Sequence, residues 1–285
     1  MAQSSSSAKT QADFTWLRTI VYLMLVLAVI RGVIYAAVVP PWQAPDEPAQ
    51  FERTRAALSA EAWNNTFTED PVWYGEIRES LFQFRWPDYL FTGVTKQRDL
   101  PLDRYIALYF PSYGGTYSNR FSYAVMGWPL VFAAGQSIVT QLYLVRLNMV
   151  IMAAAVVLLA YLTARTIFPR NSFLMLGPPL LILFNPQHTH LLAAVNNGNL
   201  AEVLTATVLF IGVQGFMRGF SWVRIVLILL LSFAAIWTKP TSFFYWYRSV
   251  IWSSISYGGF GNIGGGLFCL RPCSWGLAYC WRPCG

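Results

Sequence analysis

Residues 17–39 read LRTIVYLMLVLAVIRGVIYAAVV, and residues 40–48 continue PPWQAPDEP. As a helix the first stretch spans roughly 34 Å at 1.5 Å per residue, enough to cross a bilayer. The second is polar and proline-rich, and it begins where such a helix emerges into water. Proline fixes its own φ and restrains the residue before it. Asp46 and Glu47 are therefore held close to the level of the membrane surface. This junction decides the fold class: an all-α polytopic membrane protein.

Composition agrees. Hydrophobic residues make up 55% of the chain and charged residues 12%, about half the charged share of a soluble domain. Abundant Trp and Tyr suit the lipid–water interface. The net charge of +7 comes from Lys and Arg lying mostly between apolar segments. They set topology and meet anionic headgroups there, and no clustered basic surface points to nucleic acid. The apolar stretch is too long for a signal-peptide core, so the chain is expected to be multi-pass in a bacterial-type cytoplasmic membrane, with its N-terminus cytoplasmic.

The organisation is expected as follows. Residues 1–15 form a disordered, Ser-rich start, 16–39 the first span, and 40–142 a large first extracytoplasmic loop. Residues 143–247 form a transmembrane bundle. Within the loop, Ala49–Ala62 reads as an amphipathic helix with Glu52, Arg53 and Arg55 on its wetter side. Asn64-Asn65-Thr66 matches a short glycosylation pattern. Ser122–Thr140 is apolar but broken by Gly127, Pro129 and Gly135. Because Arg165 and Arg170 look cytoplasmic, this segment is expected to be re-entrant or interfacial. The firm spans are Leu147–Phe168, a short Pro178-Pro179 segment from Phe173 to Asn185, Leu200–Met217 and Val223–Trp237. With the first helix that makes about five. By this count Asp46, Glu47, His188, His190, Asn196–Asn199 and Lys239 all lie at one side of the membrane.

Residues 249–285 differ. They hold eight glycines, all four cysteines and a repeated Arg-Pro-Cys, with no helical period. The cysteine spacing departs from familiar zinc knuckles, so no metal site is expected. A reading-frame shift near Tyr247, giving a non-native tail, is the expected cause. Translating the other two frames tests this, and the idea fails if neither continues with apolar spans.

Several side chains suit transfer chemistry at a headgroup-level site. A carboxylate can accept a proton from a hydroxyl, and cations can meet a departing phosphate. Asp46 and Glu47 supply carboxylates; Asp46 reads equally well as the cap of a helix starting near Pro48. Only 12 residues separate Arg18 from Arg31, too few to span, so Arg31 sits in the membrane zone. It either snorkels to the headgroups or holds a lipid phosphate. Arg53 and Lys239 are further cations, Lys239 doubling as an interfacial anchor. His188 and His190 suit phosphate or hydroxyl contact and give only a weak metal signal. Asn197 and Asn199 read either as cavity lining or as the turn that starts a helix.

Together these residues resemble the GT-C superfamily of polytopic glycosyltransferases, and most closely the membrane family called DUF2142. The resemblance rests on Pro40-Pro-Trp-Gln-Ala-Pro-Asp46-Glu47-Pro-Ala-Gln-Phe51 and Tyr143-Leu-Val-Arg146-Leu-Asn148. It is extended by Asn185-Pro186-Gln187, Asn196-Asn197-Gly198-Asn199 and Thr238-Lys239-Pro240. Gln50 stands where such families commonly have His, and Asn199 where an Asp is usual. Relatives of this kind carry many more spans, so the chain is expected to be a fragment.

The resemblance implies a partial GT-C bundle, with Asp46 as the catalytic base and Glu47 as its second. The implied partners are membrane lipid, a polyprenyl-phosphate-sugar donor and a glycan or lipid acceptor of the cell envelope. No cofactor is expected, and a divalent metal stays open. The alternative is a non-catalytic transporter, flippase or assembly subunit for surface polysaccharide. The absence of an internal repeat weighs against it.

Overall fold

The span read from Leu17 lies within one helix, α1 (Gln3–Val38). Residues 3–15, expected to be disordered, continue that helix, because no Gly or Pro interrupts the chain before Gly32. The computed structural model describes residues 3–44, 46–58, 71–89, 101, 104, 120–133, 135–239, 242, 268–272 and 279–283. Asn64-Asn65-Thr66, most of the stretch from 90 to 119, and Pro240 lie outside the described residues. The chain divides into two units, Met1–Ser242 and Phe243–Gly285.

In the first unit, α1 is followed by α2 (Glu47–Ala56), α3 (Pro71–Gln83), a 3-10 turn at Trp86–Tyr89 and α4 (Arg120–Gly127). A second 3-10 turn, Trp128–Phe132, leads to α5 (Ile138–Ile167), α6 (Ser172–Phe184), α7 (Pro186–Leu192), α8 (Asn197–Arg218) and α9 (Trp222–Thr238). Among the described residues, three helices are long and apolar enough to cross a membrane: α1 over Trp16–Val38, α5 and α8. Of the five expected spans these three meet the length for crossing, while the other two, α6 and α9, are apolar but shorter, at 13 and 17 residues. At 1.5 Å per residue α6 reaches only about 20 Å, against about 30 Å of hydrocarbon. Pro178 and Pro179 lie inside α6 without breaking it, and the chain instead bends at Asn185, where α7 begins.

Two boundaries differ from the sequence reading. The span expected from Leu147 starts at Ile138, where Ser137 accepts the Thr140 amide. Gln141 and Arg146 interrupt the apolar run, but both are buried and bonded within the protein. The helix expected to reach Ala62 ends at Ala56. Its Glu52, read as solvent-facing, is buried and accepts a 2.8 Å bond from the Tyr74 hydroxyl. Ser122–Thr140 is not one span. It is α4, a 3-10 turn and a break at Gly135, as its Gly and Pro residues imply.

α1 and α5 run antiparallel, since Met24 packs with Val157 while Ala36 packs with Val150. α8 and α9 do the same, with the Asn197 side-chain amide donating to Thr238 O. The largest buried cluster is not at the middle of the long helices. It lies at one end of the bundle, where Trp42, Phe51, Trp73, Tyr74, Ile77 and Met126 meet Leu142, Val145 and Met149 of α5. The middles of α1, α5 and α8 leave much apolar surface outward, as a lipid-facing bundle requires.

α4 approaches α2 closely at Gly127, where an added Cβ would fall 2.6 Å from Thr54 Cγ2 and 3.0 Å from Thr54 O. A backbone atom cannot step aside cheaply. Gly127→Ala is therefore expected to cost about 1–3 kcal/mol of overpacking, read as a lower melting temperature in detergent.

In the second unit, β1 (Phe268–Pro272) pairs antiparallel with β2 (Tyr279–Pro283), with Cys269 opposite Arg282 and Arg271 opposite Cys280. The tail read as lacking regular structure thus pairs its two similar Cys-x-Arg-Pro segments as a hairpin. The all-α expectation holds for the described residues of the first unit.

Candidate functional site

The junction after α1 turns through two residues in left-handed backbone conformation, Trp42 (φ 72°) and Asp46 (φ 57°). This region is costly for a bulky side chain and tolerated by Asp. Trp42 is held there by three contacts. Its backbone amide donates to Glu47 Oε2 at 3.0 Å, its indole N–H donates to Ser80 Oγ at 2.8 Å, and its ring meets Phe51 edge-on at 5.4 Å. Strain kept in place by surrounding structure is a common mark of functional sites.

The two carboxylates of the corner have opposite environments. Glu47 is fully buried and forms a two-pronged ion pair with Arg146: Nε donates to Oε1 at 2.8 Å and Nη2 to Oε2 at 2.6 Å. The Trp42 amide and the Val195 amide, the latter at 3.2 Å, complete its shell. Arg146 is equally spent. Nη1 donates to Ala36 O and Val39 O at 2.7 Å each, and Nη2 donates to Pro40 O at 3.1 Å. All five guanidinium N–H groups have partners, three of them carbonyls left over at the end of α1. Asp46 is exposed, occupies the N-cap position of α2 and makes no capping bond. The expected cap is present in position but not in chemistry, because the left-handed backbone does not direct this side chain onto the first-turn amides.

The buried side-chain amides of two asparagines do similar work. Asn148 Nδ2 donates to Met126 O at the end of α4, and its Oδ1 accepts from the Trp128 indole. Asn199 Nδ2 donates to Leu192 O and Ala194 O at the end of α7. Asn199 is therefore an internal anchor, buried at 2% exposure. Asn199→Leu is expected to cost about 1–3 kcal/mol by orphaning two buried carbonyls, with a matching loss in thermal unfolding.

The remaining candidates lie at the same end of the bundle. Val195, bonded to Glu47, is followed by Asn196, whose side chain caps α8 through the Gly198 amide at 2.7 Å. Lys239 Nζ lies 3.2 Å from where a Cβ of Gly198 would stand, so the ammonium sits close to the first turn of α8. The ammonium and the positive end of α8 thus reinforce one another. Asn197 faces α9 through its bond to Thr238 O. His188 Nε2 and Glu202 Oε1 are 2.7 Å apart, so Glu202 orients that ring. His190 lies 6.5 Å from the Tyr35 ring. Arg31 stands over Tyr35 and Phe184 on the flank of α1. Arg53 donates to the Tyr123 hydroxyl at 3.4 Å, which in turn donates to Gln50 Oε1.

The structure thus bonds Glu47 to Val195 and Asn196 to Gly198, with the Lys239 ammonium beside Gly198, while Asp46 adjoins Glu47 in the chain. Arg31 and His190 share a separate aromatic cluster, and Arg53 sits across α2. Among the described residues, no group of three His, Cys, Asp or Glu is arranged to hold a metal. Reading the sequence missed the role of Arg146. The signal was an arginine inside an apolar run, opposite in charge to a glutamate at the end of another. No protein-family model, curated protein or solved structure matches this chain.

Proposed function

We propose that this chain is a GT-C-type membrane glycosyltransferase homologue, with a polyprenyl-phosphate-linked sugar as donor and a cell-envelope glycan or lipid hydroxyl as acceptor. Asp46 takes the hydroxyl proton as the acceptor oxygen bonds to the anomeric carbon. The anomeric C–O bond to phosphate breaks, and the polyprenyl phosphate departs with its electron pair. Lys239 and the start of α8 meet the developing negative charge. Glu47 is the anchor that fixes the corner, and the base role falls to Asp46 alone.

The observation that carries this reading is the contrast between the two carboxylates. Glu47 is consumed by four donors, while Asp46 is exposed, uncapped and held in strained backbone at the end of an apolar helix bundle. A purely structural acid at the N-cap position would bond the first-turn amides.

The test is transfer of radiolabelled sugar from a polyprenyl-phosphate donor in membranes carrying the chain or its Asp46→Asn variant. Loss of transfer in the variant is expected, and retained transfer sinks the assignment. Donor binding without turnover in the unaltered chain favours the non-catalytic transporter, flippase or assembly-subunit reading.

A further inference from the structure

Arg31 lies inside the apolar span of α1, seven residues before Val38, or about 10 Å along the helix axis. A charge at this depth requires a counter-charge or a route to the headgroups. Among the described residues no carboxylate pairs with it. Its Nε is buried and makes no hydrogen bond. The guanidinium carbon is 6.0 Å from the Tyr35 ring centre and 5.5 Å from that of Phe184. His190 lies against the same tyrosine.

The surroundings say what such a cation meets. Ile30 and Ile34 of α1, and Leu181 and Phe184 of α6, are all exposed large apolar side chains. Half-buried Arg31 therefore lies beside side chains that face outward from the bundle. The bilayer's own anion is the lipid phosphate, and basic pockets between helices select anionic headgroups. Snorkelling and direct capture lead to the same partner, since both bring the guanidinium to phosphate oxygens. A guanidinium suits two-pronged binding of an oxyanion.

We propose that Arg31, with Tyr35, Phe184 and His190, forms a site for the phosphate of an anionic bilayer lipid that enters laterally between α1 and α6. This site stands apart from Asp46 and does not depend on the sugar-transfer reading.

The experiment places the purified full chain in nanodiscs of phosphatidylcholine with or without phosphatidylglycerol. It reads the lipid retained by native mass spectrometry and the melting temperature. The unaltered chain retains phosphatidylglycerol over phosphatidylcholine and melts higher in its presence. Arg31→Gln binds it roughly ten- to a hundredfold more weakly, the loss of one charge-assisted pair. Arg31→Lys keeps part of the preference as a point charge, and Arg18→Gln keeps all of it. Full retention by Arg31→Gln overturns the proposal, as does an unaltered chain with no preference for phosphatidylglycerol. Inorganic phosphate added to phosphatidylcholine nanodiscs leaves the melting temperature unchanged. A rise equal to that with phosphatidylglycerol assigns the anion to solution and overturns the lateral lipid route. Where Arg31→Gln does not fold, Arg31→Lys and the lipid comparison on the unaltered chain still decide.

Discussion

Arg146→Met lowers the stability of the bundle by about 3–5 kcal/mol, the range for removing one partner of a buried ion pair. The loss has two parts. Glu47 is left as a carboxylate at 0% exposure without its counter-charge. The carbonyls of Ala36, Val39 and Pro40, which Arg146 satisfies at 2.7 to 3.1 Å, lose their donors at the end of α1. Glu47→Leu alone is expected to be comparably damaging, since it strands the guanidinium. The double variant Arg146→Met/Glu47→Leu recovers a large part of the loss, because apolar replacement of both partners removes the unpaired charge. It does not recover all of it, as the helix-end carbonyls and the Trp42 and Val195 amides stay unsatisfied. A double-mutant cycle on detergent-purified protein, read by thermal or denaturant unfolding, measures this coupling. Additive single-variant effects would show that the pair is not the joint described here.

Asp46→Asn is expected to leave the melting temperature unchanged while reducing sugar transfer by roughly 10²–10⁴-fold, the range for loss of a general base. The variant reads chemistry rather than folding for three reasons. The side chain is exposed, it makes no capping bond, and asparagine accepts the left-handed backbone at φ 57° as readily as aspartate. Asp46→Ala is a poorer probe, because it adds backbone strain of about 1–2 kcal/mol to the loss of the carboxylate. The contrast between neighbours is therefore diagnostic. A change at Glu47 lowers stability first and activity as a consequence, whereas a change at Asp46 alters activity alone.

Much of the architecture was legible because it rests on local physics. Apolar runs gave α1, the lower part of α5, α8 and α9. Gly127, Pro129 and Gly135 broke the segment before α5, and the polar clusters fell at one end of the bundle. Where local reading failed, a distant side chain had changed the outcome. Gln141 and Arg146 made the top of α5 look too polar to continue the helix, until their partners at Gln136 and Glu47 are counted. Glu52 looked solvent-facing by period, until Tyr74 is seen to take it into the core.

Sequence alone determined that this is a helical chain with apolar helices long enough to cross a membrane and two carboxylates pinned where the first of them ends. Hydropathy and proline geometry act residue by residue and need no partner. Only the tertiary structure decided which carboxylate is buried and which is open. That choice is made by Arg146, 99 positions further along the chain, whose direction depends on the packing of α5 against α1.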